Sequence, residues 1–87
     1  MYIIMVYDVE VDRVTKILKI GRKYLNWVQN SVLEGELTKA QFERLKSEIN
    51  RTMNKEKDSI IFYTFRTSNY FKKETMGTTK NEPTQFL

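Results

Sequence analysis

The spacing of apolar positions changes several times along the chain, and each change marks an element. Residues 2–7 are apolar or aromatic throughout and end at Asp8. A run that is apolar on both faces predicts a strand in the middle of a sheet. Beyond it, Val14, Ile17, Leu18, Gly21, Tyr24 and Leu25 recur at intervals of three and four. At about 100° per residue they fall on one arc of a helix. Lys16, Lys19, Arg22 and Lys23 fall on the opposite arc, with Arg13 near the boundary. Glu10 or Asp12 supplies a negative start that suits the helix dipole.

Residues 25–33 read as extended, with Trp27, Val28, Val32 and Leu33 around the polar Gln29-Asn30-Ser31. That pattern predicts two short strands joined by an irregular turn near Asn30. Glu34-Gly35-Glu36 reads as a break. Thr38-Lys39-Ala40-Gln41 is a capping-box pattern, with Thr38 as N-cap and Gln41 reaching back. Phe42, Leu45, Ile49 and Met53 then mark a second amphipathic helix. Glu43, Glu48 and Glu56 alternate with bases there, as on a solvated face. A polar turn over 54–58 leads into a strand over 59–65 (Ile60, Ile61, Phe62, Tyr63, Phe65).

The order β-α-β-β-α-β predicts an α+β, ferredoxin-like fold. The first and last strands are expected at the centre of the sheet, with both helices on one face. Residues 1–66 form that core. Residues 67–87 form an extension, with strand character over 69–74 and a turn over 77–83. Its apolar end, Phe86-Leu87, is expected to pair with a second copy in a homodimer, because a solvated tail has little use for such residues.

Composition narrows the chemistry. At 87 residues the chain makes one domain, and 40% hydrophobic with 13% aromatic residues supports one small core aided by a partner surface. No cysteine is present, so disulfides, Fe–S clusters and thiolate zinc sites are excluded. Without histidine, Ser-His triads, imidazole bases and His-ligated metals go as well. A catalytic metal must be held by oxygen, which points to Mg²⁺ or Mn²⁺. No secretory signal and no bilayer-spanning stretch is visible, so a cytoplasmic location without membrane contact is expected.

The net charge of +4 is unevenly spread. Residues 1–12 hold three acids (Asp8, Glu10, Asp12) and no base; residues 13–23 hold five bases (Arg13, Lys16, Lys19, Arg22, Lys23) and no acid. This suggests a polyanion surface beside a metal site. Asp8 has two readings: a turn or cap aspartate, or a metal ligand at a strand end. The metal reading needs a second carboxylate, which a two-fold dimer would supply as the other copy's Asp8. The basic arc is either a solvated face or a phosphate-binding one. Tyr7, Tyr24 and Trp27 belong to apolar patterns and read as core or interface residues rather than base-stacking groups. Ser31 has no base to activate it, and no phosphate-binding glycine loop or dinucleotide fingerprint is present.

The strand ending Val6-Tyr7-Asp8-Val9, the basic helix, and the run Val28-Gln29-Asn30-Ser31-Val32-Leu33-Glu34-Gly35-Glu36-Leu37-Thr38 together resemble the small CRISPR-associated Cas-two family. Asp58-Ser59-Ile60-Ile61-Phe62-Tyr63-Thr64-Phe65 resembles its last core strand, and the ending from Gly77 to Phe86-Leu87 its C-terminal extension. The resemblance implies a ferredoxin-like homodimer whose C-terminal strand pairs with the partner's sheet. It implies a subunit of spacer acquisition that binds duplex DNA between Cas-one integrase dimers. The alternative it implies is a metal-dependent endonuclease on RNA or double-stranded DNA, with Asp8 as catalytic and metal-binding residue. Many members carry arginine where this chain has Trp27 and phenylalanine where it has Leu33.

Overall fold

The structure is a computed structural model that describes residues 1–66 and 74–77. Six elements follow one another: β1 (Tyr2–Asp8), α1 (Val11–Arg22), β2 (Asn26–Gln29), β3 (Val32–Glu36), α2 (Lys39–Thr52) and β4 (Ser59–Phe65). The expected β-α-β-β-α-β order is therefore observed. The strands form one antiparallel sheet in the order β2-β3-β1-β4. The first and third strands are central, so the expectation of a central last strand is corrected: β4 lies at an edge. The hairpin accounts for this. β3 returns directly from β2 and fills the place beside β1, leaving β4 only the far side.

Alternation along β1 orients the sheet. Ile3, Met5 and Tyr7 are buried, while Tyr2, Ile4 and Val6 are only half-buried. The run is thus apolar on both faces but fully covered on one. The covered face packs Ile3, Met5, Tyr7 and Leu33 into a cluster with Ile17, Leu25, Leu37, Phe42, Leu45 and Ile49. Each such side chain contributes about 2 kcal/mol by leaving water. Phe42 meets Phe62 edge-on, with ring centroids 5.2 Å apart. Cross-strand partners share a face, so Val32, Ile61 and Tyr63 lie with Ile4 and Val6 on the helix-free side. Ile61 and Tyr63 remain 47% and 52% exposed there.

Local chemistry sets the boundaries. Thr38 caps α2 as expected: the Gln41 amide donates to Thr38 Oγ1 (3.1 Å) and the Thr38 amide to Gln41 Oε1 (2.9 Å). Glu10 occupies the N-cap of α1 without a side-chain cap, and Asp12 sits in the first turn. Gly21 lets α1 lie close on the sheet, because a Cβ there would stand 2.8 Å from Leu33 Cδ1. Glu34-Gly35-Glu36 does not break the chain; it completes β3, pairing with Ile4, Ile3 and Tyr2. Alternation explains the misreading: both glutamates point to the helix-free face, and Gly35 faces Leu25 on the other. Asn30 turns the hairpin with φ of 44°, in the left-handed region that asparagine tolerates. The expected strand over 69–74 and turn over 77–83 lie almost wholly outside the described residues, and Phe86 and Leu87 entirely so.

Candidate metal and nucleic-acid sites

Asp8 is the last residue of β1 and pairs across the sheet with Ser59. Because Tyr7 points into the core, Asp8 shares the helix-free face with Ile4 and Val6. It is exposed, and its carboxylate makes no hydrogen bond or ion pair among the described residues. The hairpin tip lies beside it. The Tyr7 amide donates to the Ser31 carbonyl (3.1 Å), and the Tyr7 hydroxyl donates to the Asn30 carbonyl (3.3 Å). Burial pushes the Tyr7 phenol above its ordinary pKa, so it stays a neutral donor. Ser31 and Ser59 thus flank the strand end that carries Asp8. Among the described residues no three acidic side chains come together to hold a metal. The donor set of one chain is therefore a lone hard carboxylate, which fits Mg²⁺ or Mn²⁺ as one ligand and needs others from outside.

Asp58 stands at the other extreme. Its side chain is wholly buried and paired with Arg13. It accepts from Arg13 Nε (2.6 Å) and Nη2 (2.9 Å), from the Glu10 amide (3.0 Å) and from the Asn54 amide (2.8 Å). The Arg13 guanidinium, first, and the two amides hold its carboxyl far below the usual aspartate range. Asp58 therefore ties the turn before β4 to the loop after Asp8 and to the first turn of α1. Sequence reasoning placed it only at the end of the polar turn before the last strand. Two signals were available: an aspartate four residues after an asparagine in a polar turn, and an arginine on the helix boundary in need of an acceptor.

The five expected phosphate-binding residues divide. Arg13 faces inward, on Asp58 and, through Nη1, on Asp12 (3.2 Å). Lys23 donates to Glu48 of α2, as does the Tyr24 hydroxyl. Glu48 is thus not a solvated acid: Lys23, first, and Tyr24 hold its carboxyl below the ordinary value, and the hydrogen bond to Glu48 raises the Tyr24 phenol. Lys16, Lys19 and Arg22 are exposed on the outer side of α1 and make no ion pair among the described residues. They lie on the helical layer, whereas Asp8 opens on the other side of the sheet. The structure does not bring the bases and Asp8 to one surface. Glu56 lies in the turn after α2 rather than on it. Tyr7 is core, and Tyr24 and Trp27 pack against it. Trp27 Nε1 donates to the Asn30 carbonyl (2.9 Å), and Leu33 is fully buried, so both departures from the family pattern are structural residues. No helix among the described residues is long and apolar enough to cross a membrane.

The same fold occurs in known proteins. The profile of the family described as CRISPR associated protein Cas2 matches residues 1–73. A protein named CRISPR-associated endoribonuclease Cas2 from Dictyoglomus turgidum is 54% identical over 87 residues, covering 100% of both chains. One of the same name from Thermotoga maritima is 55% identical over 82 residues, 94% of each chain. A crystal structure of Cas2 superposes with a TM-score of 0.84 at 43% identity, covering 94% of this chain and 92% of that one. Cas2 of Streptococcus pyogenes, crystallised at pH 6.5, gives 0.77 at 30% identity, covering 88% and 100%. From the strand that ends at Asp8 to the edge strand that begins after Asp58, the chain belongs to the CRISPR-associated Cas2 family.

Proposed function

We propose that this chain is a metal-dependent endoribonuclease acting as a homodimer, with Asp8 at its centre. The observation that carries the reading is the Asp8 carboxylate, exposed and without a partner among the described residues, at the end of a central strand on the helix-free face. The relatives named as endoribonucleases support the reaction class. A half-covered face bearing Ile4, Val6, Val32, Ile61 and Tyr63 supports a second copy packed against it. Two-fold symmetry then sets one Asp8 opposite the other, and these two carboxylates would hold Mg²⁺ or Mn²⁺, with waters and substrate phosphate completing the shell. The ion supplies charge to a phosphoryl oxygen and acidifies water. Asp8 orients that chemistry at the strand end, and the Ser31 and Ser59 hydroxyls beside it can donate to phosphate oxygens. The test is cleavage of a labelled oligoribonucleotide with Mg²⁺ or Mn²⁺. Asp8→Asn should lose about 100-fold or more in rate, and chelation should do the same to the wild type. A variant that cleaves normally overturns the reading.

A second reading rests on a different observation, the exposed Lys16, Lys19 and Arg22 on the outer face of α1, which make no ion pair among the described residues. We propose that this face grips duplex DNA through its phosphates, as a spacer-acquisition subunit between Cas-one integrase dimers would need. Phosphate contacts of this kind give affinity without sequence readout. Log affinity should fall with log salt by about 0.9 per contact. Charge reversal at Lys16 and Lys19 should weaken all duplexes alike, and unchanged binding would move the surface elsewhere. Arg13 and Lys23, engaged on Asp58 and Glu48, contribute less to it.

A further inference from the structure

We infer that Asp58, through Arg13 and the Glu10 amide, is a positioning residue for Asp8. The inference rests on the reading of Asp8 as the metal ligand. Among the described residues, Asp8 itself is anchored only by its main-chain pairing with Ser59 at the last rung of the β1–β4 ladder. The chain then leaves the sheet, and its next fixed point is the Glu10 amide on Asp58 Oδ1, 3.0 Å away. The same Oδ1 accepts from Arg13 Nη2 at 2.9 Å, and Oδ2 accepts from Arg13 Nε at 2.6 Å and from the Asn54 amide at 2.8 Å. One buried carboxylate thus locks both sides of the rung: Asp58 immediately precedes Ser59 on one strand, and Glu10 follows Asp8 by two residues on the other. No buried side-chain nitrogen or oxygen among the described residues lacks a partner, so the lock is complete. An exposed ligand on a fraying strand end would have to be ordered by the metal at its own cost. A ligand between two clamped points is ordered beforehand, and groups that orient a ligand in this way typically change metal affinity or activity about 10- to 100-fold.

The test compares Asp58→Asn, Arg13→Lys and Asp8→Asn in the full chain. Leu45→Val, more than two helical turns before Asn54, serves as a control that loosens the core alone. All are measured well below their melting temperatures. Mn²⁺ is the probe, followed by paramagnetic broadening of the Asp8 and Val9 amides and by the Mn²⁺ dependence of oligoribonucleotide cleavage. Asp58→Asn keeps the shape of the side chain but loses the charge that holds the guanidinium fork. It should raise the Mn²⁺ concentration for half-maximal broadening and half-maximal cleavage together, by about tenfold or more, and should speed hydrogen exchange at the Glu10 amide. Arg13→Lys, which keeps charge without the fork, should shift Mn²⁺ dependence in the same direction by less. Leu45→Val should lower the melting temperature without moving Mn²⁺ dependence. If Asp8→Asn abolishes broadening and cleavage while folded Asp58→Asn titrates like wild type, the positioning role is overturned and the reading of Asp8 stands. If Asp8→Asn itself binds Mn²⁺ and cleaves normally, the reading beneath falls and takes the inference with it.

Discussion

Two aspartates at the same end of the sheet, Asp8 and Asp58, show how differently one residue type can be used. Asp58 has four donors within 3.0 Å and no exposed side-chain surface. Asp8, one rung away on the neighbouring strand, is exposed and without a partner among the described residues. A carboxylate fully occupied by protein donors has no lone pair for a substrate or an ion and serves the fold. One left open at a strand end contributes nothing visible to the fold and is free for chemistry. In this chain the two roles are adjacent, and the buried aspartate fixes the segment that bears the open one.

The largest separation between them should appear in Asp8→Asn. Cleavage should fall by about 100-fold or more, while unfolding free energy changes by no more than about 0.5 kcal/mol, as for other exposed sites. Chemical denaturation run beside the cleavage assay checks both halves. A large stability loss would place Asp8 in the structural class with Asp58.

Acid separates the pair in the opposite sense. The folded-state pKa of Asp58 is depressed below the ordinary value of 3.8. The unfolded state therefore binds protons more readily, and stability falls as pH falls. The contribution of Asp58 should be complete above about pH 5, fade as pH drops past 3.8, and vanish once Asp58 protonates in the fold. Glu48, also depressed, adds a term of the same sign. Melting temperatures from pH 7 to pH 2 should show a steep acid limb in the wild type and a shallower one in Asp58→Asn. An identical limb in both would remove Asp58 from the acid response.

Smaller effects come from changes far from either aspartate, and they calibrate the comparison. Thr38→Ala removes the cap of α2 and should cost about 1 kcal/mol with no change in cleavage or Mn²⁺ dependence. Gly21→Ala should be neutral to about 2 kcal/mol destabilising. Helix propensity favours alanine by about 1 kcal/mol, while the 2.8 Å approach to Leu33 Cδ1 forces repacking that costs about 1–3 kcal/mol. A net gain in stability would mean that Leu33 yields more easily than a fully buried side chain should.

How much of this was legible depends on the range of the interaction. The capping box of α2, the turn at Asn30, the polar turn before β4 and all six elements follow from neighbours within four residues, and the sequence shows them. Strand order does not. Nothing local says that β3 takes the place beside β1 and leaves β4 at the edge. Glu34-Gly35-Glu36 looks like a break because two charges and a glycine carry no strand signal. They form β3 because that strand has one face clear of the helices, where Glu34 meets Tyr2 and Glu36 pairs with the N-terminal ammonium. Asp8 was visible as a strand-end aspartate. The family resemblance supplied its role, while its exposed face required the register. Asp58 and Arg13 are 45 residues apart, so each looked like something else alone: a turn residue and a member of a basic arc. The same limit hid the pairing of Lys23 and Tyr24 with Glu48 and the placement of the bases on the opposite layer from Asp8.

The position of β4 also sets the order in which the molecule becomes competent. Five of the six elements, through Thr52, precede Asp58 in the chain and supply the hairpin, both helices and most of the core, so they can begin to pair before β4 joins them. Until then β1 is itself an open edge, and the segment after Asp8 has no anchor. Contacts this distant in sequence form late, because the loop that joins them must close first. A truncated chain ending before residue 58 therefore carries Asp8 without the structure that orders it. Docking of the last core strand is therefore the step that fixes the end of β1 and the segment after Asp8 together.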